Sequence, residues 1–132
     1  MDLEILKIAA NTDNSKNIEN RTHVFKLKNS LCGDEIQIEL IMKNKKILDF
    51  GYQEKSCVYC QASASLLAKI SINNEKKKVN DLCDNVESYF DDTVKITDKK
   101  LILLKKLIKK ENVNKKDCIL LPFKTLKKIV SS

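Results

Sequence analysis

Three short segments of the 132-residue chain offer sulfur or carboxylate groups at places where structural elements should meet. Cys32-Gly33-Asp34 puts a thiolate and a carboxylate two residues apart, in a turn just ahead of the most regular strand pattern. Gly33 permits an unusual backbone angle there and a close approach of a ligand. Cys57 stands where a strand pattern gives way to a helical one, so unpaired backbone N–H groups and the helix dipole favour its thiolate. Cys118 lies four residues before Pro122, at the expected entrance to a last helix. Three thiolates and one carboxylate (Cys32, Asp34, Cys57 and Cys118) would complete a tetrahedral metal site or hold a small iron–sulfur cluster. The competing reading is unrelated cysteines packed in a core, because Cys-x-Asp is not by itself a metal signature.

Two further cysteines and one histidine bear on that choice. Cys57-Val58-Tyr59-Cys60 has the spacing of redox and zinc pairs, so Cys60 either joins Cys57 in the site or packs in the core. Cys83 falls on the apolar stripe of a helical pattern and reads as core. His23 is the single histidine and sits in a strand pattern, which leaves a Cys–His nucleophile pair without support. No signal for export is visible, so the chain reads as cytoplasmic, where thiols stay reduced and stable disulfides are not expected.

The elements that must position these groups follow from periodicity. Residues 2–10 suit a short helix capped by Asp2, and Asn11–Arg21 reads as loop. Val24–Lys28 and Glu35–Met42 read as strands, the second alternating cleanly: Ile36, Ile38, Leu40 and Met42 to one face, Glu35, Gln37 and Glu39 to the other. Asn44-Lys45 marks a turn into a third strand, Ile47–Tyr52. From Cys57 the period becomes helical, with helices expected over Cys57–Ile70 (Ser56 near the cap), Val79–Phe90 and Lys99–Lys110. Glu111–Asp117 reads as a polar break, and Pro122 as the first turn of the last helix. The pattern predicts one α+β domain over residues 1–132: a three-stranded antiparallel sheet with helices packed on one face.

Composition narrows the function classes. A formal charge of +7 invites a nucleic-acid reading, yet 24 of the 25 basic residues are Lys, and Lys, Asn and Ile make up 50 of the 132 residues, as in an AT-rich coding sequence. Aromatic content is 5% with no Trp, while base readers favour Arg and stacking rings. The lysine pairs read as solvated helix faces, and nucleic acid is not expected as a partner. Apolar runs such as Leu101–Leu104 fall far short of the roughly 18 residues that a membrane span needs.

Leu31-Cys32-Gly33-Asp34-Glu35-Ile36-Gln37-Ile38 resembles the Cys-Gly-Asp segment of the iron–sulfur cluster scaffold family (NifU N-terminal domain, IscU, SufU). Cys57 followed by Gln61-Ala62-Ser63-Ala64-Ser65-Leu66-Leu67 resembles its second motif, and Asp117-Cys118-Ile119-Leu120 its third. The resemblance covers about Thr22–Ile70 and Lys115–Val130, and the long stretch between Cys57 and Cys118 is closer to SufU-type members. It implies the SufE/NifU-type fold and a carrier rather than a true enzyme. It also implies a transient iron–sulfur cluster, [2Fe-2S] or similar, on Cys32, Asp34, Cys57 and Cys118. Sulfur would come as persulfide from a cysteine desulfurase, with Cys32 or Cys118 as acceptor, and the cluster would pass to acceptor proteins. The alternative is a zinc-dependent sulfurtransferase using the same four residues.

The sequence departs from the family pattern at four points. Asn11–Arg21 contains no Pro or Gly, Asp117 stands where IscU-type members carry His, no Leu-Pro-Pro-Val-Lys segment precedes Cys118, and Cys60 is an additional thiol.

Overall fold

The computed structural model describes residues 3–91, 97–98 and 101–131. Three strands, β1 (His23–Lys28), β2 (Glu35–Lys43) and β3 (Lys46–Lys55), form an antiparallel sheet in the order β1-β2-β3. The tight β2–β3 hairpin needs two consecutive left-handed residues, and Asn44 and Lys45 supply them with φ of 55° and 64°. A register shift between Ile41 and Met42 adds a local irregularity near the hairpin end. Helices α1 (Leu3–Ala10), α2 (Val58–Ser71), α3 (Lys76–Asn85), α4 (Ile102–Leu107) and α5 (Lys116–Val130) complete the fold. This is the α+β arrangement that the strand and helix periods predict. Among the described residues no helix is long and apolar enough to cross a membrane.

Ile36, Ile38 and Leu40 of β2 and Phe50 of β3 are fully buried beneath the helices, in one core cluster with Ile119, Phe123 and Leu126 of α5. Helix α2 is the central member. Ten of its fourteen residues are buried, and its Ala/Ser run lets neighbours approach closely. Ser63 fixes one of those approaches, its hydroxyl donating to the Ile119 carbonyl at 2.6 Å.

Part of the other face of the sheet is covered as well. Glu39, which alternation turns to the face opposite Ile36, Ile38 and Leu40, is only 1% exposed because the Asn11–Arg21 loop lies across it. The Ile18 N–H donates to Glu39 Oε1 at 3.2 Å, and the Arg21 guanidinium sits 3.1 Å from the same oxygen. Gly51 pairs with Glu39 across the strands, and a Cβ there would lie 2.5 Å from the Lys16 carbonyl oxygen. A glycine at mid-strand is thus what lets the loop touch down.

Burial pushes the Glu39 carboxyl up, but hydrogen bonds from Ile18, Arg21, Gln37 and Gln53 outweigh it and hold the group below its usual range. A depressed folded-state value means that its stabilisation is present above the unfolded value of about 4.3 and is lost as pH falls through the folded one. Urea titrations across that acid window should show a shallower loss of stability for Glu39→Gln than for the unmodified chain. Equal acid slopes would contradict this assignment.

Several expected boundaries move. The helix expected over Val79–Phe90 is α3 followed by a 3₁₀ segment, Val86–Phe90. Of Lys99–Lys110, only Ile102–Leu107 is α-helical, and Lys99 and Lys100 lie outside the described residues. The Asp2 cap also lies outside them. Most of the expected polar break, Glu111–Asp117, falls in a 3₁₀ segment, Lys110–Lys115, and α5 begins at Lys116. Pro122 is therefore inside α5 rather than in its first turn. The apolar run Ile119–Leu121 is buried against the core, and that packing holds the turn before the proline helical. Pro122 has no N–H to give the Cys118 carbonyl four residues back, which a regular helix would require.

Candidate metal centre

The β1–β2 turn carries the first two groups. Asn29 closes it: the Asn29 N–H donates to the Asp34 carbonyl at 2.7 Å, the Gly33 N–H to the Asn29 carbonyl at 2.8 Å, and the Leu31 N–H to Asn29 Oδ1 at 2.9 Å. Gly33 adopts φ of 77°, a left-handed angle costly for any residue with a side chain. Across this bend Cys32 is exposed and Asp34 is buried, at 8% exposure.

Cys57 is the N-cap residue of α2, with extended backbone angles. Ser56 does not cap the helix; its hydroxyl donates to Glu54 Oε2 at 2.6 Å. The cap position is tied to the first turn instead, because the Cys57 N–H donates to Asp34 Oδ1 at 3.3 Å. A carboxylate at the positive end of a helix is favourably placed. Cys118 arrives from the first turn of α5, held in depth by the Ser63 bond to the adjoining Ile119.

These placements bring together groups up to 86 residues apart. The ligating atoms of Cys32, Asp34 and Cys118 all lie within 4.8 Å of one another, and the Cys118 and Cys32 sulfurs are 3.9 Å apart. Cys57 stands beside this trio, adjoining Cys118 through its thiol and Asp34 through its N–H. Burial pushes the Cys118 thiol up strongly, and the side chains of Cys57, Asp34 and Cys32 add to the rise. Such crowding of prospective anions is relieved by a cation, and ligand thiols then release protons. The donor set fits one: Asp34 Oδ2 is buried with no hydrogen-bond partner, an acceptor that water or protein would otherwise satisfy.

The remaining candidates fall outside the trio. Cys60 is fully buried in the first turn of α2, and Cys83 is buried on α3, as its apolar stripe predicts. Burial pushes both thiols up to about 12. His23 opens β1 with its Nδ1 2.8 Å from the Thr22 hydroxyl, away from any cysteine cluster among the described residues. Alkylation of the metal-free native chain should therefore modify the exposed Cys32 first and reach Cys60 and Cys83 only after urea is added. Rapid native labelling of Cys60 would contradict its placement.

Sequence reasoning missed Ser63 as the residue that sets the depth of Cys118. Its signal was a hydroxyl inside a helix whose neighbours are all apolar or small. Beside the site, Leu27, Leu31, Asp117, Leu121 and Lys124 line a cleft of about 250 Å³, with Leu31 84% exposed at its lip.

The family model described as "NifU-like N terminal domain" matches residues 2–128. An uncharacterized protein of Borreliella burgdorferi is 33% identical over 104 residues, spanning 78% of this chain and 71% of its own length. Among solved structures, a NifU-like protein (N-terminal) from Brucella abortus superposes with a TM-score of 0.86 at 19% identity, covering 98% of this chain and 91% of that one. A protein from Fervidobacterium islandicum AW-1, assigned as an iron–sulfur cluster assembly scaffold for the SUF system, gives 0.85 at 24% identity, covering 96% and 93%.

Proposed function

The chain belongs to the NifU-like N-terminal domain family, and on that premise we propose that it is an iron–sulfur cluster assembly scaffold whose cargo sits on Cys32, Asp34, Cys57 and Cys118. The observation that carries this reading is the mutual approach of Cys32, Asp34 and Cys118, with Cys57 adjoining and one buried Asp34 oxygen unpartnered. Thiolates bind iron and sulfide strongly, whereas a carboxylate oxygen is a harder and more labile partner. A scaffold needs that mixture, since its cargo must be built and then surrendered. Sulfur enters as persulfide from a cysteine desulfurase, and the finished cluster passes to acceptor proteins. Cys32 is the better placed of the two expected persulfide acceptors, being exposed where Cys118 is buried, and the cleft beside it gives a donor segment room.

The deciding measurement is an inventory of metal and acid-labile sulfide on protein purified and reconstituted without air. Iron with sulfide supports the scaffold; about one zinc per chain, with no cluster formed on reconstitution, favours the sulfurtransferase reading instead. Asp34 supplies a second check. Asp34→Ala loses the bond to the Cys57 N–H, worth about 1 kcal/mol, so the fold should persist while cargo retention changes. Asp34→Cys replaces the hard oxygen with a soft sulfur and should lengthen the lifetime of bound cluster roughly tenfold or more. Unchanged lifetimes in both variants would remove Asp34 from the ligand set.

A further inference from the structure

The ligand set leaves two thiols unused, Cys60 and Cys83, and of these Cys60 shares a helix start with a prospective ligand. Resting on the scaffold reading, the placement of Cys60 addresses an electron balance. Sulfur delivered as persulfide is sulfane sulfur, at the oxidation level of the element, whereas a cluster contains sulfide. Each atom delivered must gain two electrons before it can enter the cargo, and two thiols becoming a disulfide supply that number.

Cys57 and Cys60 have the arrangement for it. Cys57 caps α2 with extended backbone angles, and Cys60 lies three residues on, in the first turn, which the Gln61 N–H to Cys57 carbonyl bond closes at 3.1 Å. Residues three apart on a helical turn hold their Cα atoms about 5 Å apart, inside the range that a disulfide spans. Helical side chains lean toward the N-terminus, and the Cys60 thiol indeed adjoins the Ser56 side chain, immediately before Cys57. Cys60 is 0% exposed, so it is shielded from external oxidants and partners while remaining within reach of its neighbour.

We infer that Cys60 is a resolving thiol that reduces a persulfide carried on Cys57, releasing hydrosulfide and leaving a Cys57–Cys60 disulfide. Whichever clustered thiol accepts the sulfane sulfur first, thiol exchange with Cys57 transfers it without net oxidation. Cys60 sulfur then attacks Cys57 Sγ. The bond between Cys57 Sγ and the terminal sulfur breaks, its electron pair leaves with that terminal sulfur, and the Cys60 proton goes to it. The sulfane sulfur is reduced by two electrons and the two cysteine sulfurs are each oxidised by one. An external dithiol reductant reopens the disulfide for the next turnover. Oxidising this pair spends one prospective ligand, whereas a Cys32–Cys118 disulfide would spend two.

The test loads the full-length, reduced, metal-free chain anaerobically with one equivalent of glutathione persulfide and no other reductant. Sulfide release, cyanide-labile sulfane sulfur and the disulfide map by mass spectrometry are followed. The unmodified chain should release about one sulfide per chain and acquire the Cys57–Cys60 disulfide, while Cys60→Ala and the near-isosteric Cys60→Ser hold sulfane sulfur and release sulfide roughly tenfold more slowly or worse. Cys83→Ala, which removes a buried thiol elsewhere, should behave as the unmodified chain. Unchanged release in both Cys60 variants, or a disulfide mapped to Cys32–Cys118, overturns the inference. Should both variants fail to fold, the disulfide map of the unmodified chain still decides it. Sulfane sulfur taken up and held by the unmodified chain overturns this inference alone; no uptake at all overturns the scaffold reading with it.

Discussion

Cys118→Ala, reconstituted without air, should retain less than about a tenth of the metal and sulfide held by the unmodified chain, because losing an inner ligand must cost at least as much as the 10–100-fold typical of outer-shell partners. Among the described residues, Cys118 is the group that α5 brings to the Cys32–Asp34 pair. Without it, Cys32, Asp34 and Cys57 come from just the β1–β2 turn and the start of α2, and the fourth position opens to water. The side chain is small and stands in the first turn of a long helix, so the fold should survive, as far-ultraviolet circular dichroism and an unfolding curve would verify. Cys83→Ala is the matched control, removing an equally buried thiol from α3 with no expected change in cargo. Equal cargo on the Cys118 variant and the unmodified chain would exclude Cys118 as a ligand.

The largest stability effect should come from five residues further along the same helix. Phe123 is 1% exposed and among the largest fully buried side chains, so Phe123→Ala should cost about 3–5 kcal/mol through lost burial and the cavity left behind. Against the roughly 5–15 kcal/mol that holds a typical domain together, this is about a fifth of the total or more. For a chain of this size it should lower the thermal midpoint by on the order of 10–20 °C. Phe123 offers no donor atom to the candidate site, so cargo per folded molecule should stay unchanged at temperatures where the variant remains folded. A midpoint within a degree or two of the unmodified chain would show that the α5 core contact is not as placed here. The two substitutions thus separate a group that holds cargo from one that holds the helix presenting it.

The amino-acid sequence by itself determined the sheet, because Ile36, Ile38 and Leu40 alternate with Glu35, Gln37 and Glu39, and Asn44-Lys45 tolerates the left-handed angles that a tight hairpin requires. It also determined that Cys32, Asp34, Cys57 and Cys118 stand at junctions, since the periods change beside each of them. Only the tertiary structure decided what those junctions do together. Bringing Cys118 to within 3.9 Å of Cys32 depends on α5 docking against α2 through Ser63 and Ile119, a contact that no local pattern encodes. Glu39 shows the same division: alternation turns it away from the helices, but only the Asn11–Arg21 loop, landing where Gly51 leaves room, makes that side an interior. Pro122 follows the rule for a helix start when the chain is read locally, yet packing of Ile119–Leu121 extends the helix before it. Periodicity is a property of neighbours along the chain, whereas burial and convergence depend on elements that meet only after folding.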